Sequence, residues 1–132
     1  MDTSVAIAWY LPESFSPAAR EWQRRMVEGH VRLIVPSLQY WEFANVLRSY
    51  VNRGEIPAET ATRTYELHLE APLSVIDPMR ESILDRALEF DATVYDAVFV
   101  SLALEMDCRL LTAERTTTPW VLKLGKRVQT LS

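Results

Sequence analysis

Four carboxylates differ from the other acids of this chain in the residues that surround them. They lie before an apolar run, near the starts of two apolar helices and just after an apolar strand, at Asp2, Glu42, Asp96 and Glu114. If they face one crevice, their charges repel one another and their pKa values rise unless a cation lies between them. Carboxylate oxygens are ligands that Mg²⁺ and Mn²⁺ prefer. An ion held in this way acts on phosphate esters, because it neutralises the phosphate and lowers the pKa of an attacking water.

Each of these acids alone also has an ordinary structural interpretation. An acid near a helix N-terminus is a favourable partner of the helix dipole, which accounts for Glu42 and Asp96 taken singly. Asp2 alone fits a disordered terminal residue. Glu114 alone fits a solvated loop acid that pairs with Arg115. The hypothesis of a site therefore depends on the four acids acting together.

The composition disfavours the other common kinds of site. The chain has 132 residues with one cysteine, two histidines and three glycines, which excludes an internal disulfide and a four-thiolate zinc site and leaves no glycine-rich phosphate loop. The net charge of −4 excludes a globally basic nucleic-acid coat, although a local basic patch is still compatible with it. No apolar stretch approaches the ~20 residues that span a bilayer. We therefore expect a cytoplasmic protein with no membrane partner.

Helical apolar periodicity alternates with short apolar runs along the chain. Strands are predicted over residues 32–35, 73–76, 108–112 and 128–131, and helices are predicted to begin near Ser16, Ser37, Pro57, Asp77, Thr93 and Thr118. This alternation predicts one α/β domain over residues 1–132, with a mostly parallel central sheet flanked by helices. Ligands of such sheets bind outside the carboxyl ends of the strands, which is where polar residues of a site are expected.

The order and the neighbours of the four acids resemble the PIN-domain family, and within it the single-domain VapC-type toxins of toxin–antitoxin pairs. The segments that carry the resemblance are Asp2-Thr3-Ser4, Tyr40-Trp41-Glu42-Phe43-Ala44-Asn45-Val46-Leu47, Tyr95-Asp96-Ala97 and Leu111-Thr112-Ala113-Glu114. The acids are separated by 40, 54 and 18 residues, and the resemblance covers essentially the whole chain. Each segment is short, so the specificity comes from all four standing in this order.

The resemblance implies a Mg²⁺- or Mn²⁺-dependent endoribonuclease whose products carry a 5′-phosphate and a 3′-hydroxyl. Asp2, Glu42 and Asp96 match the three most regular acids of the family. Glu114 matches a fourth position that is usually aspartate, and all four are predicted to serve catalysis and metal binding. The longer glutamate suggests contact through water, or with a second ion that arrives with substrate.

Two hydroxyls and one arginine complete the predicted site. Ser4 matches a hydroxyl that supports the first acid and Thr112 matches one near the fourth, and such groups orient metal ligands. Arg115 is a candidate phosphate contact, because its planar fork suits phosphate oxygens. The resemblance also implies a homodimer and a small antitoxin protein, one arginine of which enters the acidic crevice. Transfer, ribosomal and messenger RNA are equally open as substrates.

The start of the chain departs from the family pattern. The family has a short apolar strand in mid-sheet before the first acid, whereas only Met1 precedes Asp2 here. Loss of a central strand leaves backbone groups of its neighbours unpaired, so we expect a truncated first strand with native residues upstream, in a sheet of about five strands. Two alternatives to the nuclease stay open. One is a catalytically inactive PIN-fold module that binds proteins. The other is a phosphatase of the DxD type, which is disfavoured because Ser4 occupies the position of the second aspartate.

Overall fold

The computed structural model describes residues 1–131 of the chain. Seven α-helices and four short strands are formed over these residues, which confirms the predicted α/β class. The helices are α1 (Thr3–Tyr10), α2 (Ser16–Val27), α3 (Leu38–Asn52), α4 (Ala58–Glu70), α5 (Ile83–Phe90), α6 (Val94–Glu105) and α7 (Pro119–Leu124). The strands are β1 (Ile34–Val35), β2 (Ser74–Val75), β3 (Leu110–Thr112) and β4 (Val128–Thr130). None of the helices described is long and apolar enough to cross a membrane.

The strands form two parallel pairs, β1 with β2 and β3 with β4. The first two residues of the chain lie between these pairs and connect them. The ammonium group of Met1 donates to the carbonyl of Ile34 over 3.0 Å, and the amide of Asp2 donates to the carbonyl of Leu111 over 3.0 Å. The predicted parallel sheet is therefore present as two ladders joined by a dipeptide. Asp2 emerges beside the carboxyl end of β3, where a ligand site of a parallel sheet is expected.

The predicted helix start at Asp77-Pro78 is wrong. A 3-10 turn at Arg80–Ser82 comes first, and α5 begins only at Ile83. Asp77 is engaged elsewhere, because its carboxylate accepts hydrogen bonds from the amide of Ser37 over 2.8 Å and from the hydroxyl of Ser37 over 2.5 Å. These bonds join the segment after β2 to the start of α3, 40 residues away in sequence. Asp77 therefore fixes the position of α3 instead of capping α5.

Two buried apolar clusters hold the helices against the strands. In α1, every side chain from position 5 to position 9 is buried, which keeps the segment that follows Asp2 rigid. His68 of α4 is fully buried in the same region. Its ring stacks on Phe43 with the ring centres 4.0 Å apart, and its Nε2 atom lies 2.9 Å from Oε1 of Gln39. Burial lowers the pKa of His68 to about 4, so the histidine is neutral at physiological pH.

Candidate active-site cleft

Four separate elements of the fold bring the four predicted acids to one cleft of about 460 Å³. Asp2 directly precedes α1, and Glu42 lies in the second turn of α3. Asp96 lies in the first turn of α6, and Glu114 follows β3 by two residues. Because these positions are distant in sequence, their convergence results from the tertiary fold and not from any single motif. The predicted site therefore gathers at one end of the two strand ladders.

Hydroxyl groups fix the carboxylate of Asp2 from two sides. The hydroxyl of Ser4 donates to Oδ1 over 2.6 Å, and the hydroxyl of Thr112 donates to Oδ2. Ser4 Oγ also accepts the amide of Ala113 over 3.1 Å, and Thr112 Oγ1 accepts the amide of Glu114 over 2.9 Å. The two hydroxyls thus couple the orientation of Asp2 to the position of the loop that carries Glu114.

Glu42 and Asp96 are each placed by a neighbouring threonine. The hydroxyl of Thr3 donates to Oε1 of Glu42 over 2.7 Å, a contact that the sequence analysis missed although Thr3 stands beside Asp2. Thr93 is the N-cap of α6, and its hydroxyl accepts the amide of Asp96 over 3.0 Å. This bond confirms the predicted helix start at Thr93 and sets Asp96 in the first helical turn, where the dipole of the helix favours a carboxylate.

The pKa values of three acids in the cleft are raised. Burial raises the pKa of Asp2, and hydrogen bonds from Ser4 and Thr112 only partly oppose the rise. Burial also raises the pKa of Glu42, and the charges of Asp96 and Asp2 add to it. Asp96 has a raised pKa through burial and, next, through the charge of a neighbouring acid across the cleft. The carboxylates are therefore close enough to repel one another.

The residues of the cleft fit a divalent cation by their chemistry. The described residues that line the cleft include five carboxylates and no lysine, arginine or histidine; the five are Asp2, Glu13, Glu42, Asp96 and Glu114. A cation relieves the repulsion that raises their pKa values, and a set of oxygen donors suits Mg²⁺ or Mn²⁺. Within residues 1–131, no three side chains of Asp, Glu, His or Cys are gathered closely enough to share one ion.

Glu114 and Arg115 occupy the outer part of the predicted site. Glu114 is exposed, whereas the other three predicted acids are partly buried. Its Oε1 atom accepts the hydroxyl of Thr118 over 2.9 Å and the amide of Arg115 over 3.1 Å. The side chain of Arg115 is also exposed and is not among the residues that line the cleft. The structure thus brings Glu114 to the cleft and leaves the guanidinium of Arg115 outside it.

The cleft extends past the four acids into a region that the sequence analysis missed. Its far end is lined by Glu13 and Phe15 from the loop between α1 and α2, and by Tyr50 of α3. Glu42, Val46 and Tyr50 are four residues apart, so they lie on one face of the helix. This spacing was available in the sequence, where Tyr50 reads as part of an apolar core stripe.

Comparisons with known proteins agree with this fold. The family model of the PIN domain matches residues 1–116. No curated protein matches the chain. Among solved structures, the crystal structure of PAE2754 from Pyrobaculum aerophilum is similar with a TM-score of 0.73, over 98% of this chain and 87% of that chain, at 22% sequence identity. At this identity the likeness concerns the fold.

Proposed function

This chain belongs to the PIN-domain family, and we propose that it is a metal-dependent endoribonuclease that hydrolyses phosphodiester bonds of RNA. PIN domains are in general nucleases, which supports a hydrolase. One observation carries the proposal: acids from four separate elements line one cleft that no cationic side chain of the described residues enters. A phosphodiester is anionic, and these acids repel it unless a cation is bound first. The cleft therefore requires the kind of ion that assists phosphodiester hydrolysis.

In this proposal Asp2, Glu42 and Asp96 hold a Mg²⁺ or Mn²⁺ ion, and Glu114 helps to position the ion or a water molecule. Because no three acids of residues 1–131 already lie close enough to share one ion, the three side chains must move closer together when the ion binds. The bound ion supplies neutralisation of the phosphate charge and a lowered pKa for the attacking water. Glu114 is tied to its own loop by the hydroxyl of Thr118, which suits a supporting role better than a central one.

The remaining polar groups of the cleft position the acids. Ser4 and Thr112 keep both oxygens of Asp2 hydrogen-bonded, and Thr3 does the same for one oxygen of Glu42. Such partners orient ligands and limit the number of rotamers that must be lost when an ion binds. Arg115 borders the loop of Glu114, and we propose that its guanidinium contacts a phosphate of the RNA that flanks the cleft.

The substitution Asp96→Asn tests the proposal, because it removes a charge while keeping nearly the same volume. We expect an intact fold and an RNA cleavage rate more than about 100-fold lower, since loss of mere outer partners of a metal ligand reduces activity about 10–100-fold. The assay follows cleavage of total RNA with Mg²⁺, with Mn²⁺ and with EDTA. Asp85→Asn is the matched control, because Asp85 is an exposed acid of α5 outside the cleft. Equal cleavage by Asp96→Asn and wild type would show that the site is wrong.

We further propose that the nuclease is a VapC-type toxin that acts on cytoplasmic RNA as a homodimer and is inhibited by a small antitoxin protein. Large exposed apolar side chains support a protein partner: Trp41 is 69% exposed and Tyr95 62%. Exposed apolar patches of this kind are typical of interaction surfaces. Trp41 and Tyr95 directly precede Glu42 and Asp96 in sequence, so a partner bound there also borders the acids.

Growth and oligomeric state test the toxin proposal. Induced expression of the wild-type chain is expected to stop growth, and expression of Asp96→Asn is expected not to. Light scattering should give the mass of a dimer for the wild type and of a monomer for Trp41→Ser. Normal growth on expression of an active nuclease contradicts the toxin role. An intact chain that binds no Mn²⁺ and cleaves no RNA favours the alternative of an inactive protein-binding module.

A further inference from the structure

The far end of the cleft is built from a helix face and a short loop. Along α3, Glu42, Val46 and Tyr50 share one face, and Tyr50 lies ~12 Å from Glu42 along the helix axis. The opposite wall is the loop between α1 and α2, which contributes Glu13 and Phe15. The rings of Phe15 and Tyr50 and the carboxylate of Glu13 line the same cleft as the four predicted acids. The far end is therefore within reach of a base of a polynucleotide whose phosphate lies at the acids.

Glu13 is held in a defined position there. The hydroxyl of Tyr50 donates to Oε1 of Glu13 over 3.1 Å. The amide of Glu13 donates to Oγ of Ser16 over 2.9 Å, and that hydroxyl donates to the carbonyl of Leu11 over 3.2 Å. Within residues 1–131, no cationic side chain pairs with Glu13, and Oε2 accepts no hydrogen bond. The carboxylate thus presents an open acceptor to the cleft.

Tyr50 is fixed in turn and stays a hydrogen-bond donor. Burial raises the pKa of Tyr50, and its hydrogen bond to Glu13 adds to the rise. The guanidinium of Arg53 lies 4.8 Å over the Tyr50 ring and is held by Glu55 at 2.9 Å. The Tyr50 ring and the Glu13 carboxylate are therefore positioned before any ligand arrives, which reduces the entropic cost of binding.

We propose that this end of the cleft binds a guanine base of the RNA, with Glu13 as the specificity-determining residue. An ionised carboxylate only accepts hydrogen bonds, so it selects bases by their donors. Guanine places its N1–H and N2–H donors side by side on the Watson–Crick edge, whereas each other base has a single donor group there. Phe15 and Tyr50 supply aromatic surface on which a base stacks. The inference rests on the proposed nuclease function, because that function places RNA in the cleft.

Binding of free nucleosides tests the base site without any cleavage. Guanosine carries no phosphate, so the acids do not repel it, and NMR titration in EDTA follows its binding. We expect guanosine to bind the wild type roughly tenfold more tightly than uridine, since one hydrogen bond to a charged group has an effect of this size. Inosine lacks the N2 amino group, and its affinity is expected to fall between the two. Glu13→Gln should lose the preference, while the exposed control Glu59→Gln should keep it.

Cleavage of short RNAs separates this inference from the nuclease proposal. Wild type is expected to cut beside guanosine and to cut an inosine-substituted RNA more slowly, and Glu13→Gln is expected to cut both at the same rate. Tyr50→Phe keeps the ring and should weaken the preference only in part. Cleavage with no base preference, or an unchanged preference in Glu13→Gln, overturns the base site. Guanosine binding without cleavage of any RNA overturns the nuclease and supports the base site alone.

Discussion

Burial of His68 makes the stability of the fold depend on pH. The ring is fully buried, and burial lowers its pKa from 6.5 to about 4. In the unfolded chain the same histidine binds a proton near pH 6.5. As the pH falls below 6.5, the unfolded state therefore gains a proton that the folded state excludes, and the free energy of unfolding decreases. One pKa unit corresponds to about 1.4 kcal/mol, so the loss is about 2 kcal/mol at pH 5 and levels off near 3 kcal/mol below pH 4.

Urea unfolding at pH 7.5 and at pH 5 measures this loss. Wild type should lose about 2 kcal/mol more than His68→Gln between the two pH values, because glutamine does not titrate and still reaches Gln39. His30→Gln is the matched control, since His30 is the other histidine and its side chain is 64% exposed. His30→Gln should show the pH dependence of the wild type. If the free energy of unfolding of His68→Gln falls as much as that of the wild type between pH 7.5 and pH 5, burial does not lower the pKa of His68.

Three more predictions concern other parts of the structure. Thr112→Val removes a donor to Asp2 and an acceptor in the buried end of β3, so urea unfolding should show a loss of about 1–3 kcal/mol, and Mn²⁺ affinity measured by calorimetry should fall about 10–100-fold. Asp77→Ala removes both hydrogen bonds to Ser37, and because Asp77 is exposed to water the free energy of unfolding should fall by only about 0.5–1 kcal/mol at pH 7. Since these bonds lower the pKa of Asp77, the wild type should lose this contribution as the pH falls below 3.8, and the variant should not. Four apolar residues added before Met1 should raise the unfolding temperature, because they can bury apolar surface in a groove of about 210 Å³ that lies between β1 and β3 beside Met1. A lower unfolding temperature would show that the groove does not accept these residues.

The sequence was sufficient to predict the α/β class and the alternation of elements. Four of the five acids of the cleft stood out because each lies near the boundary of an apolar element, and such boundaries are where side chains point into a ligand site. Thr93 was identified as a helix cap because capping is a local interaction within three residues. Local interactions of this kind depend only on residues that are close in sequence, so they can be recognised without knowledge of the fold.

Long-range interactions were not accessible in the same way. Asp77 has the local sequence pattern of a helix start, yet its carboxylate accepts hydrogen bonds from Ser37, which is 40 residues away in sequence. Glu13 lies in a loop with no periodicity, and its role depends on a hydroxyl that is 37 residues away on α3. The strands are shorter than predicted because strand length is set by the partner, and only two or three residues of each run find one.

Anomalous diffraction from crystals soaked in Mn²⁺ shows whether the acids of the cleft hold the ion. We expect a manganese peak inside the cleft, in contact with carboxylates of Asp2 and Asp96, and no peak there in crystals of Asp96→Asn. Crystals of Asp85→Asn should retain the peak. A wild-type cleft without manganese, in a protein that still cleaves RNA in the presence of Mn²⁺, would contradict the claim that these acids hold the ion.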